Sequence, residues 1–135
     1  LNKTRAFAAI ALSAATLLAL APSASASGDG VCHTDRDACF FYNSDLKGAK
    51  VDIDDCWSYN HVNFKFIGPG NGAGITLKNN AASVQNWSHY NPHFVYYNSN
   101  LQGPRQQINP WSWSNLNSTL KNNNASSVFY ETGNC

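Results

Sequence analysis

Charge is scarce in this chain. Of its 135 residues only 13% are Asp, Glu, Lys or Arg, and Glu131 is the sole glutamate. So thin and balanced a charge argues against electrostatic capture of nucleic acid or of an anionic membrane surface. Catalytic signatures are missing too. There is no His-Glu-x-x-His, no Gly-x-Ser-x-Gly and no pair of Cys-x-x-Cys units, which removes the usual zinc-hydrolase, serine-hydrolase and zinc-cluster readings. His89 and His93 have the spacing of two ligands on a helix, but Pro92 between them argues against a helix there. Asp52, Asp54 and Asp55 form a small acidic cluster without the alternation and glycine of a calcium EF-hand, and read as a solvated strand end. No window sustains apolar residues at three- and four-residue spacing, so a helical body is excluded as well.

What the chain does contain is a repeat. Tyr42 to Ile53 reads YNSDLKGAKVDI, and Tyr97 to Ile108 reads YNSNLQGPRQQI, 55 residues later. A second pair follows in the same order, TLKNN from Thr76 to Asn80 and again from Thr119 to Asn123. One unit is written twice, with a flexible Gly-rich loop from Gly68 to Gly74 lengthening the first copy. Asn, Gly, Ser, Thr and aromatic residues dominate, and short β-favouring runs are separated by turn residues. The sequence therefore predicts an all-β domain of about eight short strands. Within it, His61 to Ile67 alternates cleanly and predicts a strand with Val62, Phe64 and Phe66 facing the core. Gly48 and Gly103 fall where each strand folds over on its neighbour, a position that favours positive φ.

The N-terminal stretch has the parts of a secretory signal. Lys3 and Arg5 precede an apolar run from Ala6 to Ala21, and Ala24-Ser25-Ala26 supplies small residues for cleavage. Residues 1–26 are expected to be removed, leaving 27–135 as one small secreted domain. Taking Lys3 and Arg5 from nine basic side chains leaves seven against eight acidic, a net charge of −1. Four cysteines remain: Cys32, Cys39, Cys56 and Cys135. In an oxidising compartment they read as two disulfides, with three connectivities open. Cys32 and Cys39 are close and flank a polar loop, which favours Cys32–Cys39 and leaves Cys56–Cys135. With the thiols so committed, and no carboxylates placed to flank a cleft, the chain is not read as an enzyme. Trp111 and Trp113 alternate with serines after Pro110, so both are expected to be buried or both available.

The repeated turn, Phe41-Tyr42-Asn43-Ser44-Asp45-Leu46-Lys47-Gly48 and Tyr96-Tyr97-Asn98-Ser99-Asn100-Leu101-Gln102-Gly103, resembles the folded hairpin of a βγ-crystallin Greek key. Asn122-Asn123-Asn124-Ala125-Ser126-Ser127 is similar to the crystallin-type calcium motif, two Asn or Asp, two variable residues, then Ser/Thr and Ser. Asn79-Asn80-Ala81-Ala82-Ser83-Val84 is a degenerate first copy. The early cysteine pair, the two YNS-x-L-x-G turns, the Gly-rich insert and KNNAAS together resemble the actinobacterial metalloproteinase-inhibitor family, number thirty-six in the peptidase-inhibitor classification. That likeness implies a βγ-crystallin-like sandwich of two Greek keys, about 38–88 and 93–135, in a secreted, monomeric inhibitor whose partner is a secreted protease. It implies weak calcium binding by Asn122, Asn123 and Ser126 and by Asn79, Asn80 and Ser83, with a carbonyl near Gly48 and a crossed pairing of the two units. The family's founding member braces its inhibitory loop with a second local disulfide. No cysteine lies between Cys56 and Cys135, so that loop does not carry over and no reactive bond is singled out. The alternative reading is a calcium-binding or structural extracellular module, stress-related or antimicrobial.

Overall fold

The computed structural model describes residues 28–54 and 59–130. Eight strands are seen there: β1 (Ala38–Asn43), β2 (Lys47–Ile53), β3 (Tyr59–Asn60), β4 (Ser83–Asn86), β5 (His93–Asn98), β6 (Gln102–Ile108), β7 (Ser112–Asn115) and β8 (Ser126–Phe129). They form two four-stranded sheets, ordered β2-β1-β4-β7 and β3-β8-β5-β6. Every pairing is antiparallel. The two halves exchange a strand: β3, from the first repeat, joins the sheet of the second, and β7, from the second, joins the sheet of the first. Neither sheet is complete without the other half of the chain.

The repeats match down to their irregularities. The register of β1 on β2 slips between Phe41 and Asn43, and that of β5 on β6 slips between Tyr96 and Asn98, each 55 positions apart. Such bulges sharpen the local bend of a hairpin. The inward faces meet in one core. Phe40, Val51, Ile53 and Val84 come from one sheet, Val95, Ile108 and Phe129 from the other, with Phe66, Leu77, Leu116 and Leu120 from the connections. Each is at most 3% exposed, and burying such a side chain stabilises by about 1.5–3 kcal/mol. The bridge Cys32–Cys39 is formed, with Cα atoms 5.9 Å apart. Cys56 and Cys135, and the predicted leader 1–26, lie outside the described residues.

Two local expectations are corrected. His61–Asn63 is a single 3-10 turn, not the start of a strand. The turn rotates His61 inward, fully buried, and leaves Val62 57% exposed; Phe66 keeps its expected place in the core. The second correction concerns the Gly-rich segment, whose composition reads as flexible. Two bonds pin it along the edge of β2, Ala49 N–H to Asn71 O (2.9 Å) and Ile67 N–H to Lys50 O (2.8 Å), and Gly74 N–H to Phe66 O (2.8 Å) closes the loop on itself. Tyr42 lies directly on Gly72, where φ is +92° and any added methyl would overlap the ring. Glycine here admits a packed ring and a left-handed backbone together.

Candidate functional site

The polar bends between the sheets are where the two repeats meet. Each folded hairpin turns through two consecutive left-handed residues, Asp45 and Leu46 (φ 60° and 56°) in the first and Asn100 and Leu101 (φ 58° and 59°) in the second. Non-glycine residues rarely adopt that conformation, so something must hold them. A buried serine does so in each unit. Ser83 Oγ donates to Asn43 O (2.7 Å) and accepts from Leu46 N–H (3.1 Å). Ser126 Oγ donates to Asn98 O (2.6 Å) and accepts from Leu101 N–H (3.0 Å). The exchanged strands add a second brace. Asn115 on β7 accepts from Asp45 N–H (2.8 Å) and donates to the Asp45 carboxylate (2.9 Å). Asn60 on β3 accepts from Asn100 N–H (2.8 Å) and donates to Asn100 Oδ1 (2.8 Å).

Below the hairpins lie two pseudo-equivalent polar depressions. One, of about 390 Å³, is lined by Tyr42, Asn43, Ser44, Asn80, Ala82, Lys121 and Asn122. The other, of about 350 Å³, is lined by Tyr97, Asn98, Ser99, Asn123, Ala125, Lys78 and Asn79. Every residue of the first has its counterpart in the second, at an offset of 55 for the hairpin and 43 for the TLKNN segment. The pairing is crossed, each depression taking one asparagine from each motif. Of the expected calcium ligands, Asn80 and Asn122 line one depression, and Asn79 and Asn123 the other. Ser83 and Ser126 line neither, because their hydroxyls are spent on the hairpins. Gly48 lines a different, more apolar groove with Ile67 and Pro69. Asn80 Nδ2 is turned back onto Thr76 O and Lys78 O, and Asn123 Nδ2 onto Thr119 O and Lys121 O. No carboxylate lines either depression, and each contains a lysine. Calcium selects oxygen ligands and gains affinity from their negative charge, so this donor set does not fit the ion.

A buried node ties the halves together between these depressions. Asn124 Oδ1 accepts from Ala81 N–H (2.9 Å), while its Nδ2 donates to Leu77 O (2.9 Å) and to His61 Nδ1 (2.8 Å). His61 Nε2–H then donates to Ser127 Oγ (2.9 Å), which fixes the tautomer. Burial drives the pKa of His61 down to about 3, the backbone of Asn124 (not its side-chain amide) offsetting only part of that. His93 is also fully buried, against Phe40 and Phe129, and neither ring nitrogen has a partner among the described residues. Burial, then the neighbouring His61, holds its pKa well below the usual histidine range. His89 is exposed, so His89 and His93 do not share a site.

The acidic cluster is also placed differently from expectation. Asp52 is buried and accepts from Gly28 N–H (2.9 Å) and Gly30 N–H (2.6 Å). It lies beside Asp54 and the buried Asp37, which accepts from His33 N–H (2.6 Å). Burial pushes the Asp37 carboxyl up to about 7 against that hydrogen bond, with Asp54 adding to the rise. Burial raises Asp52 too, against its two backbone donors. The partners of Asp52 and Asp37 lie in the N-terminal turns, which is why the sequence neighbourhood alone read as a solvated strand end. Asp55 lies outside the described residues.

Several aromatic side chains stand in the open. Trp111 and Trp113 are each 50% exposed and Tyr90 is 82% exposed. Trp111 (φ 52°) is held by its N–H to Ser88 O (3.2 Å) and by edge contacts of its ring with Trp87 and His89, at 5.3 and 4.6 Å between centroids. Both tryptophans of the alternating pair are therefore available rather than buried.

The two-sheet arrangement matches solved structures. A βγ-crystallin domain solved in work on the evolution of the eye-lens fold aligns with TM-score 0.57 at 11% identity, over 75% of this chain and 93% of that one. The N-terminal domain of protein S aligns with TM-score 0.54 at 20% identity, over 71% and 97%. The fold is that of a βγ-crystallin domain. No protein-family model matches the chain, and no curated protein matches its sequence.

Proposed function

We propose that this βγ-crystallin-type domain is a secreted binding protein, an inhibitor of a metalloproteinase, and not an enzyme. The observation that carries a binding role is the pre-ordered aromatic patch of Trp87, His89, Tyr90 and Trp111. Tryptophan and tyrosine are the side chains that most often anchor protein interfaces. A patch already immobilised by ring contacts and a backbone hydrogen bond loses less entropy on association. None of its four residues is Asp, Glu, Lys or Arg, which suits a contact driven by desolvation. The choice of a protease as partner is supported by the paired YNS-x-L-x-G turns, the leader-like N-terminus and the early cysteine bridge. The bridge also braces the 33–38 loop, a second ordered element available for contact.

The test is inhibition of a thermolysin-like metalloprotease by the purified domain, with Trp111→Ala alongside. Inhibition that weakens at least about tenfold in the variant supports the reading, that being the loss expected for an interface anchor. No inhibition at high micromolar protein removes it. A second reading, a structural extracellular module, is favoured by the likeness to crystallin domains and predicts no inhibition by either protein.

A further inference from the structure

We propose that Lys78 and Lys121 are built-in cations, each standing in the depression where the βγ-crystallin arrangement would take a metal ion, so that cohesion of the two repeats needs no calcium. The geometry is reciprocal. Lys121, from the second repeat, donates from Nζ to Ser44 Oγ of the first hairpin (2.8 Å). Lys78, from the first repeat, donates from Nζ to Ser99 Oγ of the second hairpin (3.4 Å). In both cases lysine and hydroxyl line the same depression, together with an asparagine from each motif and the asparagine of the hairpin. These are oxygen-rich, carboxylate-free surroundings. They suit a singly charged ammonium with three donors better than a divalent ion that must shed its water.

The backbone supports the same crossing. Asn122 N–H donates to Ala81 O (2.9 Å) and Asn79 N–H to Asn124 O (2.7 Å). Asn79 and Asn122 are both left-handed, at φ 63° and 59°. Each lysine thus leaves its own segment at a fixed bend and reaches the opposite unit. A calcium ion entering either depression would meet a like charge on the wall and hydroxyls already engaged. Unlike an ion, the ammonium is covalently attached, so it is not lost to dilution or to chelators.

The inference is independent of the inhibitor reading, and its test uses no protease. Calcium is titrated to about 10 mM, well above the range of extracellular calcium modules, into the wild type and into Lys78→Asp/Lys121→Asp. The melting midpoint is followed, as are the backbone amide NMR signals of Asn43, Ser44, Asn98 and Ser99. In the wild type these amides should stay in place and the midpoint should move by less than about 1 °C. In the double variant, which replaces each ammonium by a carboxylate, they should shift saturably and the midpoint should rise by several degrees. Should the double variant fail to fold, each single variant opens one depression and leaves the other as an internal control. Saturable movement in the wild type overturns the proposal, as does a set of folded variants that titrate no better than the wild type.

Discussion

Replacing Ser126 by alanine removes one hydroxyl and strands two backbone groups. Ser126 is fully buried, and its Oγ serves Asn98 O and Leu101 N–H at once. Both bonds are only partly buried, so water relieves part of the loss. An unsatisfied buried polar group costs about 1–3 kcal/mol. Two of them, partly relieved by local opening, give an expected loss of about 2–4 kcal/mol. For a domain of this size each kcal/mol moves the melting midpoint by about 4–8 °C, so the midpoint should fall by at least about 8 °C. Urea unfolding gives the free energy directly. The pseudo-equivalent Ser83→Ala should behave alike, because Ser83 holds Asn43 O and Leu46 N–H in the same way. Ser118→Ala, at an exposed loop position, is the control. A loss below about 0.5 kcal/mol at Ser126, in the range of ordinary surface changes, would refute the argument that these hydroxyls are structural staples.

Other consequences are open to the same assay. Gly72→Ala should cost at least about 2 kcal/mol, since the new methyl meets the Tyr42 ring on a left-handed backbone; a neutral result would mean the loop is not pinned as described. His61 and His93 are neutral in the fold well below pH 6.5, while the unfolded chain binds their protons there. They therefore make stability fall as pH drops through 6.5 towards about 3. His93→Leu should lessen that fall without loss of stability at neutral pH, and an unchanged pH profile would count against it. Asp37 has the opposite sign. Its raised pKa keeps it protonated in the fold up to about pH 7, so it withdraws stability as pH rises from about 4 to 7. Asp37→Asn should be more stable than the wild type at pH 8 but not at pH 4, and equal differences at both pH values would exclude the mechanism.

How much of this was legible in the sequence differs by element. The hairpins were, because Leu46, Gly48, Leu101 and Gly103 recur at a fixed offset and the turn chemistry is local. The bridge Cys32–Cys39 was, because its ends are seven positions apart. The inward turn of His61 was not. It depends on Asn124 and Ser127, more than 60 residues away, and period-two alternation gives no warning of a tertiary partner. The ordering of the Gly-rich segment was hidden for a similar reason: glycine reads as freedom until a ring such as Tyr42 is set on it. In the asparagine motifs the residue types were right for oxygen ligation. What composition could not convey is that Ser83 and Ser126 are already spent, and that Lys78 and Lys121 enter from the opposite repeat. The exchanged braces Asn60 and Asn115 were missed altogether, although they share the 55-residue offset, which was the signal that could have found them.

Two repeats interlocked by exchanged strands should unfold as one body. Native-state hydrogen exchange at the Leu46 and Leu101 amides tests it most directly, since each sits under the serine staple of a different half. Both amides should exchange only through global unfolding, with one shared free energy that matches the urea value. Exchange of one at a clearly lower free energy than the other, with its half opening alone, would contradict it.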